Sequence, residues 1–157
     1  MMILKKLLTT ALPAMLMHAA LASAAPAADV GTPDEAVAMV KKAVTYYKAN
    51  GKDKAFAAFN DPKGPFIDRD MYILVLDSNM VMVAHGANPR MIGKSVGAMK
   101  DADDKPFGKQ FSDIGKGKGT GWIDYKWPNP VTKVIDAKST YVEKVDDLLI
   151  GCGIYKK

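Results

Sequence analysis

The sequence predicts an α+β domain in which one long N-terminal helix packs on a five-stranded antiparallel sheet, with short helices in the connections. Two observations predict this class. A capped, amphipathic pattern comes first in the chain, and β-rich runs joined by short polar turns fill most of the remainder. The regular strand-helix-strand alternation of a nucleotide-binding fold is missing.

The first helix is predicted by its cap and by one apolar stripe. Thr32-Pro33-Asp34-Glu35 is a capping box with proline at the first helical position. The apolar residues that follow at spacings of three and four are Val37, Val40, Val44 and Tyr47. Asn50-Gly51 is a stop signal, and Asp53 is placed to cap a second short helix that runs through Phe59.

Five strands are predicted after this helical region. Runs 71–76 and 80–84 flank the polar turn Asp77-Ser78-Asn79 and indicate a hairpin, followed by a loop over 86–99. Asp103 or Asp104 is expected to cap a short helix that carries Phe107, Phe111 and Ile114. The last three strands are predicted at 122–127, 134–144 and 148–155.

The N-terminus has the composition of an export signal. Met1 to Lys6 is basic, Leu7 to Leu21 is mostly apolar, and Ala22-Ser23-Ala24 offers small residues at a cleavage site. We therefore expect a signal peptide over 1–24, a flexible leader over 25–31 and one domain over 32–157. Such a protein would be periplasmic, with no membrane span after cleavage.

Composition argues against several classes of protein. Removing Lys5 and Lys6 leaves 20 basic against 17 acidic residues, a balance too mild for a nucleic-acid surface. The single Cys152 has no disulfide partner, and its glycine neighbours indicate a small buried residue on a strand. One histidine after cleavage and no Gly-x-Ser-x-Gly motif leave no convincing nucleophile and base. We expect neither an enzyme nor a cofactor.

Scattered residues along the chain carry a family resemblance. In order they are Asp77, His85, Asn88-Pro89, Gly93, Phe107 to Ile114, the Gly119-Thr-Gly-Trp122 entry, Gly121 to Val142, and Gly151-Cys-Gly153-Ile-Tyr155. This order resembles the single Cache domain of type 2, an extracytoplasmic, ligand-sensing relative of the PAS fold, over about Asp34 to Tyr155. The resemblance implies a PAS-like sheet and a small, anionic organic ligand, either a carboxylate or an amino-acid-like compound. Because the sequence shows no signalling half, we expect a binding protein that acts without its own signalling domain.

Period-two alternation places Tyr125 and Trp127 on one strand face with Ile123, and a suitable hairpin register would set Lys138 beside Tyr125. Tyr141 would then lie on the opposite face unless a bulge intervenes. The resemblance implies that Tyr125, Lys138 and Tyr141 surround the ligand, and it adds His85. Tyr72 and Trp127 are further candidates for the lining. The alternatives are a solvated Lys138, core packing for the aromatic residues, and a structural role for His85 in its loop.

Two other functions stay open at this level. The domain could dock on a membrane receptor or kinase without a ligand of its own. It could also handle copper through Met80, Met82 and His85, although the broken alternation between Met82 and His85 favours core packing and no metal site.

Overall fold

A computed structural model describes residues 30–156 of the protein. The predicted signal peptide, residues 25–29 of the predicted leader and Lys157 lie outside the described residues. Val30 and Gly31 belong to the same predicted leader, yet they are tied to the domain. The Gly31 amide donates to the Asp70 carboxylate over 2.6 Å, and Val30 offers its carbonyl to Arg69.

Helix α1 spans Pro33–Asn60 and has the predicted capping box. The Glu35 amide donates to the Thr32 hydroxyl, while the Glu35 carboxylate accepts from the Thr32 amide. Gly51 has non-helical backbone angles, with φ of 77°, so the helix is interrupted where the sequence predicted a stop. Its buried face carries Val40, Val44 and Tyr47.

The strands are β1 Ile67–Asp68, β2 Met71–Leu76, β3 Met82–His85, β4 Thr120–Pro128, β5 Ile135–Val145 and β6 Leu148–Tyr155. They form an antiparallel sheet with the order β3–β2–β6–β5–β4, and the two-residue strand β1 also pairs with β2. The predicted α+β class and the antiparallel sheet are therefore confirmed. The chain-terminal β6 lies in the middle of the sheet, between β2 and β5.

Each face of the sheet has its own hydrophobic cluster. Helix α1 covers one face, where it packs on Ile73, Ile150 and Cys152. Helix α2, Phe107–Lys116, covers part of the other face with Phe107 and Phe111. The region of this second face near the ends of β2, β3 and β4 holds the candidate site.

Two local predictions were wrong. The second strand of the hairpin begins at Met82, because Met80 has φ of 59° and breaks the extended backbone. Helix α2 starts after Pro106, with no side-chain cap from Asp103 or Asp104. The Asp101 carboxylate organises this loop instead, accepting from the amides of Asp103, Lys105 and Lys126.

Among residues 30–156, no helix combines the length and the apolar character that crossing a bilayer requires.

Candidate functional site

The site is built around the buried ammonium group of Lys138. Lys138 belongs to β5, yet its side chain crosses the sheet to Tyr72 on β2 and is only 1% exposed. The ammonium donates to the Tyr72 hydroxyl oxygen over 2.6 Å and lies 3.4 Å from the Tyr155 hydroxyl oxygen. It also sits 3.9 Å from the centre of the Tyr72 ring, a distance at which cation–π attraction operates. The partners of this cation are thus neutral.

Burial sets the protonation of Lys138. Removal from water lowers the pKa of its ammonium to about 7, because the low-polarity interior disfavours the charged form, while the nearby Asp70 carboxylate favours it. In the described part of the chain, no carboxylate lies within salt-bridge distance of this ammonium. At neutral pH about half of the molecules therefore carry a charged Lys138, and the charged form is the one that a nearby anion would favour.

Asp70 is the nearest compensating charge, and its own bonds are made to the backbone. One oxygen accepts from the Gly31 amide and the other accepts from the Tyr155 amide over 3.3 Å. The carboxylate is 1% exposed. It lowers the electrostatic cost of burying Lys138 without forming a contact ion pair with it.

His85 is a neutral hydrogen-bond donor beside the same tyrosine. Its Nδ1 accepts from the Asn88 amide over 3.0 Å, which places the ring proton on Nε2. Burial, helped by the positive charge of Lys138, lowers the pKa of His85 to about 3. The imidazole ring lies 4.8 Å from the Tyr72 ring, measured between centroids. The predicted structural role in the loop and a donor role toward a ligand are both compatible with this arrangement.

Tyr72 and His85 border a pocket of about 220 Å³, here called the Tyr72 pocket, and Lys138 reaches it through its contact with Tyr72 rather than by lining it. Its lining residues are Tyr72, His85, Ala87, Asn88, Trp127, Pro128, Asn129, Pro130 and Lys133. A neighbouring lobe of about 250 Å³ shares Tyr72, Ala87, Pro130 and Lys133 with it and extends to Arg69. The connection between β4 and β5 thus contributes to both spaces.

Tyr125 and Trp127 occupy the adjoining core. The register pairs Tyr125 with Lys138, but the Tyr125 hydroxyl bonds to Thr140 over 3.0 Å and the ring stacks on Phe107. Tyr125 lines an internal cavity of about 20 Å³, which is room for about one water molecule. Trp127 lies between this cavity and the Tyr72 pocket, and it lines both.

Tyr141 lies away from the pocket, on the opposite face of the sheet. No bulge intervenes between Lys138 and Tyr141 in β5, so alternation turns Tyr141 toward the α1 side. There its ring meets Trp122 at 5.5 Å between centroids. The structure brings together Tyr72, His85, Trp127 and Lys138, and it leaves Tyr141 outside this group.

Sequence reasoning missed Tyr155 and Asp70. Tyr155 is buried, contacts Lys138, and donates from its hydroxyl to the Pro128 carbonyl over 2.7 Å at the edge of the Tyr72 pocket. Tyr155 ends the last strand, and only the register of β5 with β6, which places it opposite Lys138, would have identified it. Asp70 carries no local signal, since it stands in a turn and acts through contacts 39 and 85 residues away.

Comparison with known proteins identifies a matching family of sensor domains and a related chemotaxis receptor. A family model described as "Single Cache domain 2" matches residues 2–157. The methyl-accepting chemotaxis protein McpP of Pseudomonas putida is 28% identical over 90 residues, which cover 56% of this chain and 16% of that receptor. The chain thus matches about a sixth of the receptor's length.

Solved structures share the fold. A methyl-accepting chemotaxis protein from Vibrio parahaemolyticus has a TM-score of 0.66 at 22% identity, covering 78% of this chain and 86% of the other. A Cache chemosensory domain, described in terms of carboxylic acid recognition, gives a TM-score of 0.67 at 23% identity, covering 79% and 92%. A periplasmic sensor domain of a chemotaxis protein gives 0.61 at 22% identity, covering 79% and 90%. At these identities the likeness establishes the fold alone.

Proposed function

Because the chain belongs to the single Cache domain 2 family, whose members are ligand-binding signalling modules, we propose that it binds a small organic anion, a carboxylate, in the Tyr72 pocket. The observation that carries this proposal is the buried Lys138 ammonium, whose hydrogen-bond partners in the part of the chain that the structure describes are tyrosine hydroxyls. Asp70 lowers the cost of burying this cation without forming an ion pair with it, and an anion bound beside the ammonium would lower that cost further.

Tyr72 links the ammonium to the pocket. Lys138 donates to the Tyr72 oxygen, and Tyr72 is also hydrogen-bonded to Tyr155 through its side chain, so a ligand oxygen would take the place of Tyr155 as the acceptor of the Tyr72 hydroxyl hydrogen. The Nε2 proton of His85 supplies a second donor from the same side of the pocket. Charge-assisted hydrogen bonds of this kind are stronger than bonds between neutral groups, and exclusion of water strengthens them further.

The lining also favours a simple carboxylate over an amino-acid-like ligand. Within residues 30–156, the lining of the Tyr72 pocket includes no aspartate or glutamate. A ligand ammonium group would therefore lie near Lys138 and Lys133 with no carboxylate to pair with it. A volume of about 220 Å³ suits a compound of a few heavy atoms, smaller than a drug-sized ligand.

We further propose that the protein reaches the periplasm after cleavage behind Ala24. The support is the basic start, the apolar run and the Ala22-Ser23-Ala24 site in the sequence. Intact-mass spectrometry of an osmotic-shock fraction should find a mature chain that begins at Ala25. A species that keeps Met1 and sediments with membranes would contradict this proposal.

A binding test separates ligand classes by charge. Thermal unfolding is measured with acetate, succinate, glycine and ethylamine, and only acetate and succinate, which have a net negative charge and no ammonium group, are expected to stabilise. Calorimetry then compares the wild type with Lys138→Met, which keeps the length of the side chain and removes its charge. Loss of one partner of a buried charged pair costs about 2 to 5 kcal/mol, so affinity should fall by more than tenfold.

Lys126→Met is the matched control, since Lys126 is an exposed lysine on the far face of β4 whose ion pair with Asp103 contributes little. It should keep the wild-type affinity. Equal affinities for wild type and Lys138→Met would refute the role of the ammonium.

A second function rests on a different observation. Val131, Val134 and Ile135 are exposed at the connection between β4 and β5, beside the pocket, and could contact a membrane receptor or kinase. If this surface acts without a ligand, none of the four compounds should stabilise the correctly folded protein.

A further inference from the structure

The path of the Lys138 side chain across the sheet depends on one residue of β6. Lys138 stands on β5 and its partner Tyr72 on β2, and β6 separates these two strands. Lys138 pairs in register with Tyr155, so its stem must pass over β6 beside the next residue on that face, Gly153. The ammonium reaches the middle of the sheet only by this crossing.

Gly153 leaves the room for that crossing. A β-carbon built at this position would lie 2.1 Å from Cε of Lys138 and 3.2 Å from its Cδ. It would also lie 2.5 Å from the Thr140 hydroxyl oxygen. The backbone of Gly153 does not have the positive φ that favours glycine, unlike Gly51, Gly93 and Gly119. Space for the lysine stem, rather than backbone conformation, therefore accounts for glycine here.

We propose that Gly153 is a positioning residue for the anion site, because the missing side chain forms the passage through which Lys138 places its ammonium against Tyr72 and Tyr155. Any side chain at position 153 should push the lysine out of the interior and remove anion binding, although residue 153 does not line the Tyr72 pocket itself. The predicted loss of anion binding rests on the proposed function, whereas the predicted displacement of the Lys138 side chain does not.

Gly151 provides a matched control. It lies two residues earlier on β6 and faces the same side of the sheet. A β-carbon there would approach Val142 Cγ1 to 2.9 Å and the Tyr141 carbonyl to 3.2 Å, and no atom of Lys138 is among its close neighbours. Gly151→Ala thus introduces a clash in the same strand, milder at 2.9 Å than the 2.1 Å approach at Gly153, without blocking the lysine.

The direct test follows Lys138 by NMR with ¹³C-labelled lysine, so it needs no ligand. The Cε signal assigned through Lys138→Met should titrate near pH 7 in the wild type and in Gly151→Ala. In Gly153→Ala it should titrate near the ordinary lysine value of about 10.4, because the expelled ammonium becomes solvated. An unchanged titration in Gly153→Ala would overturn the proposal.

The second readout is acetate affinity by calorimetry. Gly153→Ala should lose more than about tenfold in affinity, as Lys138→Met does, while Gly151→Ala should stay within about threefold of the wild type. Thr140→Ala removes the other contact of the new β-carbon, and it should also keep its affinity. Loss of binding in Thr140→Ala equal to that in Gly153→Ala would assign the effect to Thr140 and contradict the proposal. If the wild type binds no acetate, the function proposal fails there, and the NMR titration still decides the role of Gly153.

A further pair of variants tests the steric argument if Gly153→Ala does not fold. Thr140→Ala/Gly153→Ala is compared with the same chain that also carries Lys138→Ala, using circular dichroism and thermal unfolding. Recovery of folding only when the lysine is shortened supports the steric argument. Equal instability of the two chains contradicts it.

Discussion

Lys138 should make the stability of the free protein rise with pH, in a range where few other groups titrate. Its pKa is about 7 in the folded state and about 10.4 in an unfolded chain, so the unfolded chain binds more protons between these values. Stability therefore increases with pH throughout this window. The buried tyrosines Tyr72, Tyr125 and Tyr155 have raised pKa values, which lower stability only above about pH 9.

The magnitude follows from the same two values. At pH 7 the displaced titration of Lys138 destabilises the folded protein by about 4 kcal/mol, and at pH 9 by about 2 kcal/mol. The wild type should gain about 2 kcal/mol between these pH values. In Lys138→Met this gain should disappear, because methionine does not titrate, and the buried Cys152 thiol, whose pKa is raised to about 12, should leave a small loss of stability toward pH 9.

Urea unfolding at pH 7, 8 and 9 measures this dependence for wild type, Lys138→Met and the control Lys126→Met. The control should retain the wild-type slope with pH. At pH 7 Lys138→Met should be as stable as the wild type or more stable, since it removes a buried charge that forms no salt bridge within residues 30–156. A flat pH profile in the wild type, or equal slopes in wild type and Lys138→Met, would refute a buried, titrating ammonium.

Two further perturbations test the rest of the structure. His85 has a pKa of about 3 against 6.5 when solvated, so the unfolded chain binds more protons below pH 6.5 and stability falls by about 2 kcal/mol from pH 6.5 to 4.5. In urea unfolding, His85→Asn should lack this fall in the free energy of unfolding between pH 6.5 and 4.5. An equal fall in the wild type and in His85→Asn would contradict a buried neutral imidazole. Val40 is fully buried on the inner face of α1, so Val40→Asp should cost several kcal/mol. A loss below about 1 kcal/mol in chemical unfolding would mean that this helix face does not form the core.

The sequence predicted correctly those features that depend on interactions between residues near one another in the chain. The capping box at Thr32, the break at Gly51 and the alternation that places Tyr125 and Trp127 together all depend on neighbours within a few residues. The same alternation, unbroken by a bulge, separates Lys138 from Tyr141. Such features can be predicted from the sequence because they depend only on residues that are close together along the chain.

Features that depend on distant partners could not be predicted in this way. The loop before α2 is held by Asp101 through the Lys126 amide, 25 residues away, so an aspartate that resembles a helix cap at Asp103 has no such role. Tyr155 joins the site only because β6 lies between β2 and β5, and the sequence does not state that order of strands. The sequence shows a glycine at position 153, but the reason for glycine there is the side chain of Lys138, which lies on the neighbouring strand.

Proton uptake on binding is the most direct test of the central claim, that a carboxylate binds by stabilising the charged form of Lys138. Calorimetry with acetate at pH 8, in two buffers of different ionisation enthalpy, gives the number of protons exchanged. We expect an uptake approaching one proton, because few of the free molecules carry a charged Lys138 at pH 8. The affinity for acetate should also fall by up to about tenfold per pH unit from pH 8 to 9. Binding without proton exchange, with one affinity from pH 6 to 9, would contradict it.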